Sequence, residues 1–111
     1  MATVLFRAQG CLLGQLCGDS LGSLVEFQSP AHVRKQYPKG VRDLADGGTW
    51  DTIAGQPTDD SELALTLART LVAKRTYDVS AARAAYRDWL ASGPFDCGMA
   101  TRRPLRKPTE R

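Results

Sequence analysis

An all-α protein is what this sequence predicts. Apolar residues recur at helical spacing in two long stretches, near positions 4–16 and 63–71. Helix starts and stops are marked by capping residues and by proline and glycine. No stretch of useful length alternates apolar and polar residues as a half-buried strand would. A chain of 111 residues makes one domain or part of one. With 42% apolar and 24% charged residues it reads as globular rather than disordered.

The first helix is expected over residues 3–24. Gly10, Gly14, Gly18 and Gly22 fall every four residues along it. Glycine costs a helix roughly 1 kcal/mol relative to alanine, so four on one stripe imply a smooth ridge that another backbone approaches. Val4, Leu5, Ala8, Cys11, Leu12 and Leu16 spread apolar surface around much of the circumference. That pattern predicts a central, largely buried helix. Asp19 would then be an acid on a buried helix, read as a cap or ion-pair partner near the helix end. Glu26 lies between apolar neighbours, which alone is the mark of a solvent-facing residue. Ser29 as N-cap and Pro30 at the first helical position start a short helix, 30–36, stopped by Tyr37-Pro38-Lys39-Gly40. A long loop follows, rich in glycine and aspartate, and long ordered loops tend to be functional.

The third helix is expected over 59–74. Gly55-Gln56-Pro57 is a turn, and Thr58 or Asp59 a good N-cap. With Asp59 as cap, Glu62 would complete a capping box. Leu63, Ala64, Leu67 and Leu71 mark its buried face; Arg69 and Lys74 suit its C-terminal end. Asp78 or Ser80 caps a fourth helix, 81–91, with Ala82, Ala85, Tyr86 and Trp89 on its inner face. Gly93 and Pro94 end it.

Thr58-Asp59-Asp60 carries two readings. Acidic residues in a first helical turn complement the helix dipole and need no further role. Alternatively, adjacent carboxylates and a hydroxyl are oxygen ligands for a hard divalent cation rather than zinc. The triplet alone does not choose between them.

Composition excludes several classes. No apolar run approaches a membrane span. Arg7 interrupts the apolar N-terminus, and no charged region precedes it, which argues against a signal peptide. Three cysteines, Cys11, Cys17 and Cys97, form no CxxC pair and point to buried thiols in a reducing, cytoplasmic setting. The single histidine, His32, lies among Arg34, Lys35 and Gln36 and reads as a solvated helix residue. No nucleophile-elbow pattern accompanies it. Net charge is +3, with +4 carried from Arg102 onward and −1 by the rest. Without interleaved aromatics, that basic end reads as a solvated terminus rather than a nucleic-acid contact.

In combination, these residues resemble the ADP-ribosylglycohydrolase family, of the dinitrogenase-reductase-activating type. The resemblance runs through Gly10-Cys11-Leu12-Leu13-Gly14-Gln15-Leu16-Cys17-Gly18-Asp19-Ser20-Leu21-Gly22 and Val25-Glu26-Phe27. It continues in the loop glycines, Thr58-Asp59-Asp60 with Leu63-Ala64-Leu65, and Tyr86-Arg87-Asp88-Trp89-Leu90. Gly93, Asp96, Gly98 and Thr101-Arg102-Arg103 complete it. Each piece is weak; their order together is specific.

The resemblance implies the N-terminal helical portion of an orthogonal helical domain over residues 1–103; beyond it, two prolines and the basic charge read as a tail over 104–111. It implies a two-metal centre of Mg²⁺ or Mn²⁺ with Thr58, Asp59 and Asp60 as ligands. Glu26 would lie on a mobile segment over the site with a catalytic role, and Asp96 near the metals and the reacting ribose. The substrate would be an ADP-ribosylated protein or a small molecule containing ADP-ribose, cleaved at its glycosidic bond. One departure stands out: the family's second metal motif, Asp-x-Asp-Thr/Ser, is absent from these 111 residues. The expectation is therefore a partial enzyme, inactive alone and prone to self-association, with a complementary C-terminal half as partner. The alternatives are a non-catalytic remnant or binding module of the same fold, and a small basic helical protein acting through its tail.

Overall fold

The computed structural model describes residues 3–106. These divide into two compact units, one ending at Thr58 and one beginning at Asp59. The described residues are helical with irregular connections, and their only β-type pairing is an isolated bridge between Gly47 and Thr52.

The first unit opens with α1, Val4–Gly22. The Thr3 hydroxyl accepts the Phe6 N–H at 3.3 Å and caps it. A 3₁₀ turn, Ser23–Val25, packs directly onto the end of α1. Helix α2 spans Pro30–Gln36. The Ser29 hydroxyl accepts the His32 N–H at 3.2 Å, so the cap is the one its sequence announces. His32 itself is exposed. The long loop then folds back on the 3₁₀ turn. Gly48 sits there at φ +71°, and a Cβ on it would lie 2.7 Å from the Cα of Leu24. Only glycine allows both that dihedral and that approach.

The expectation of a buried α1 is not met. Ser20 alone is buried along its length, while Val4 is 82% and Leu13 60% exposed. The glycine ridge is equally open: a Cβ added at Gly10, Gly14, Gly18 or Gly22 meets nothing within 4 Å. The apolar pattern records a surface suited to burial, but the described residues of this chain do not cover it. For the same reason Cys11 and Cys17 are exposed rather than buried, though all three thiols are unpaired.

In the second unit, α3 (Asp59–Lys74) packs on α4 (Val79–Ala91), and α4 on α5 (Met99–Arg106). The inner faces are the expected ones. Ala82 is buried, and Leu63, Ala64, Leu67, Ala85, Tyr86 and Trp89 are half-buried, while Leu71 is left exposed. Helix α4 starts two residues earlier than expected, because Asp78 rather than Ser80 is its cap and accepts the Ala81 N–H at 2.9 Å. Burial raises the Tyr86 phenol above its ordinary pKa of 10.0, and neighbouring Tyr77 adds to the shift.

Helix α5 corrects the reading of a tail from residue 104. It begins with the Thr101 and Arg102 N–H groups on the Gly98 carbonyl and continues through Pro104 to Arg106. Proline removes one N–H, but its locked φ near −65° is itself helical, so a short helix can pass through it. The remainder of the expected tail, residues 107–111, lies outside the described residues. Among those described, no helix is long and apolar enough to cross a membrane.

Candidate functional site

Thr58 is the last residue of the first unit and one of its few buried polar groups, at 3% exposure. The partner that holds it is Asp19, 39 residues earlier. The Asp19 carboxylate accepts the Thr58 N–H at 2.9 Å on Oδ2 and the Thr58 hydroxyl at 2.7 Å on Oδ1. Both bonds are charge-assisted. Ser20, the next residue on α1, donates its hydroxyl to the Gly55 carbonyl at 3.0 Å. The end of α1 therefore anchors the turn that delivers Thr58. The sequence marked Asp19 as a cap or ion-pair partner near its own helix end. Its actual partner is remote, and no local spacing signals that.

The Asp19 bond fixes the polarity of the Thr58 hydroxyl. Its proton is donated to Asp19, so outwardly the oxygen offers lone pairs. Replacing Asp19 with asparagine would let the amide donate to that oxygen and reverse the bond. The expected cost is about 1 kcal/mol, a typical value for one hydrogen bond, read as a lower midpoint in urea with an unchanged slope.

Glu26 follows the 3₁₀ turn. Its carboxylate accepts the Trp50 indole N–H at 2.8 Å, and its carbonyl accepts the Thr49 hydroxyl at 2.6 Å. It is half-buried, not the plain solvent-facing residue that its neighbours suggested. Trp50 is a residue that sequence reasoning missed, because a pairing across 24 positions leaves no periodic trace.

In the second unit α3 begins at Asp59, which is therefore inside the helix rather than its cap. The conditional capping box on Asp59 does not form. Glu62 instead accepts the Trp89 indole N–H at 2.6 Å and ties α3 to α4. The Asp59 Oδ2 accepts the Gly98 N–H at 3.1 Å. That bond brings the 95–98 loop, which carries Asp96, to the start of α3. Asp60 is exposed and Asp96 half-exposed. A hollow of 340 Å³ on α4, lined by Ser80, Arg83, Ala84, Arg87 and Asp88, contains none of the expected site residues.

The donor set suits a hard cation in kind: two carboxylates and a hydroxyl whose proton is already committed. It is short in number. Mg²⁺ demands near-octahedral oxygen geometry, and among the described residues no three His, Cys, Asp or Glu side chains group as a cage.

Comparison with known proteins bears on the same residues. The ADP-ribosylglycohydrolase family model matches residues 1–111. The chain is 41% identical over 102 residues to the ADP-ribosyl-[dinitrogen reductase] glycohydrolase of Rhodospirillum rubrum, a match covering 91% of this chain and 34% of that protein. It is 35% identical over 106 residues to the ADP-ribosylarginine hydrolase Tri1 of Pseudomonas putida, covering 89% of this chain and 27% of that one. It is 29% identical over 106 residues to the Tri1 hydrolase of Serratia proteamaculans, again with 89% and 27% covered. The chain thus spans about a third or less of the length of these relatives. With a match along its whole length and an all-α architecture, this chain belongs to the ADP-ribosylglycohydrolase family.

Proposed function

We propose that this chain supplies part of the catalytic centre of a metal-dependent hydrolase that cleaves the glycosidic bond of ADP-ribosylated substrates. The observation that carries this reading is the Asp19–Thr58 pair. A half-buried carboxylate taking both the N–H and the hydroxyl of one threonine is more than a helix cap requires, and it leaves the threonine oxygen as an acceptor, with two aspartates next in sequence. Thr58, Asp59 and Asp60 are the residues that would hold Mg²⁺ or Mn²⁺, two ions in the complete centre. When bound, such ions supply Lewis acidity and hold the ribose hydroxyls.

The chain's own residues supply the rest. Glu26 exchanges a proton with the attacking water or the leaving group while positive charge develops on the sugar. Asp96, on the loop tied to Asp59, orients the ribose. The substrate class is an ADP-ribosylated protein or an ADP-ribose conjugate, as the names of the relatives indicate for those proteins.

With a single ligand segment, the 111-residue chain is expected to bind Mg²⁺ weakly and to be inactive alone. Its uncovered apolar α1 favours self-association. The test is release of free ADP-ribose with Mg²⁺ or Mn²⁺, with and without a C-terminal segment carrying an Asp-x-Asp-Thr/Ser motif. Calorimetry on the chain alone completes it. Tight stoichiometric Mg²⁺ binding or turnover by the chain alone would overturn the incomplete-site reading. No release from the assembled pair would overturn the hydrolase reading. The second reading, a non-catalytic binding module of the same fold, is favoured by the lack of a cage of three acidic, histidine or cysteine side chains among the described residues. It predicts no release in any arm.

A further inference from the structure

We propose that Trp50 is a positioning residue for Glu26, holding one carboxylate oxygen so that the other is the one offered for proton transfer. The inference rests on the role assigned to Glu26 above. Three observations carry it. First, the Trp50 indole, which can only donate, gives its N–H to Glu26 Oε2 at 2.8 Å. That leaves Oε1 as the reacting oxygen.

Second, the same loop grips the backbone of Glu26. The Thr49 hydroxyl donates to the Glu26 carbonyl at 2.6 Å and accepts from Gln28 Nε2 at 3.2 Å, while that amide also donates to the Leu24 carbonyl at 3.1 Å. Thr49 and Trp50 together therefore fix both the main chain and the side chain of one residue. Third, the residue after Glu26 is in a conformation that needs support. Phe27 has φ +60°, which a bulky non-glycine residue rarely adopts. Its ring meets Trp50 edge-on, with centroids 6.1 Å apart and planes at 74°. Backbone strain of this kind is found where a neighbouring group must be aimed. A glutamate serving only solubility needs none of these three restraints.

The chain allows a direct test, because Trp50 and Trp89 are its only tryptophans and each donates to a different glutamate. Each indole N–H gives its own proton–nitrogen resonance, and Trp89→Phe assigns them. Glu26→Ala is expected to move the Trp50 resonance and speed its solvent exchange about tenfold, the loss of one charge-assisted bond, leaving Trp89 unmoved. Trp50→Phe keeps a ring against Phe27 but removes the donor. It is expected to move the Glu26 carboxyl carbon resonance at unchanged helicity. A Trp50 indole indifferent to Glu26→Ala overturns the proposal, and that arm decides even if Trp50→Phe fails to fold. Full ADP-ribose release by Glu26→Gln in the assembled enzyme would instead overturn the role of Glu26, and the resonances keep the two failures apart.

Discussion

Asp60→Asn is expected to lower metal-dependent release of ADP-ribose by about 10²–10³-fold in the assembled enzyme, with the helices intact. The magnitude follows from the proposed role as a metal ligand: a metal acting as Lewis acid is worth several kcal/mol to a transition state, and each 1.4 kcal/mol is tenfold. Asparagine keeps the size of the side chain but loses the charge that a hard cation requires. Asp60 is exposed on the first turn of α3, so the change should not disturb packing, and circular dichroism should be unaltered. Asp59→Ala is expected to lose as much activity but is less clean. It also removes the acceptor of the Gly98 N–H and should loosen the start of α5. Undiminished release by Asp60→Asn at saturating Mg²⁺ would remove this residue from the ligand set. Equal activity with and without a chelator would remove the metal.

Gly48→Val is expected to destabilise the fold by about 3 kcal/mol, combining left-handed backbone strain with overpacking. A thermal melt should show it as a fall of roughly 15 °C, at 4–8 °C per kcal/mol for a domain near this size. The overpacking arises because the new Cβ would lie 2.7 Å from the Leu24 Cα, a backbone atom that cannot swing aside. Gly40→Ala separates the two contributions. Gly40 also has positive φ, at +83°, but its Cβ would meet nothing within 4 Å, so only the strain should be felt. Equal losses at the two positions would show that the close approach to Leu24 contributes nothing. Because Gly48 adjoins Thr49 and Trp50, Gly48→Val should also disturb the Trp50 indole.

The helices were legible where the information is local. Ser29-Pro30, Gly93-Pro94 and the acidic start at Asp59 act within one turn, and α2 and α3 begin, and α4 ends, where those signals place them. Ordered motifs carried the family in the same way. What residue order could not disclose is which side chains meet across long separations. Asp19 with Thr58, Trp50 with Glu26 and Trp89 with Glu62 lie 39, 24 and 27 positions apart. A hydrogen bond selects a partner by position in space, and nothing in the spacing of residues records that. Helix α5 escaped for a different reason: a proline's cost depends on what the neighbouring turns gain, which no single residue reveals. The depth of α1 escaped as well. Its sequence specifies a face suited to burial, whereas actual burial belongs to whatever packs there, and the described residues leave that face in water.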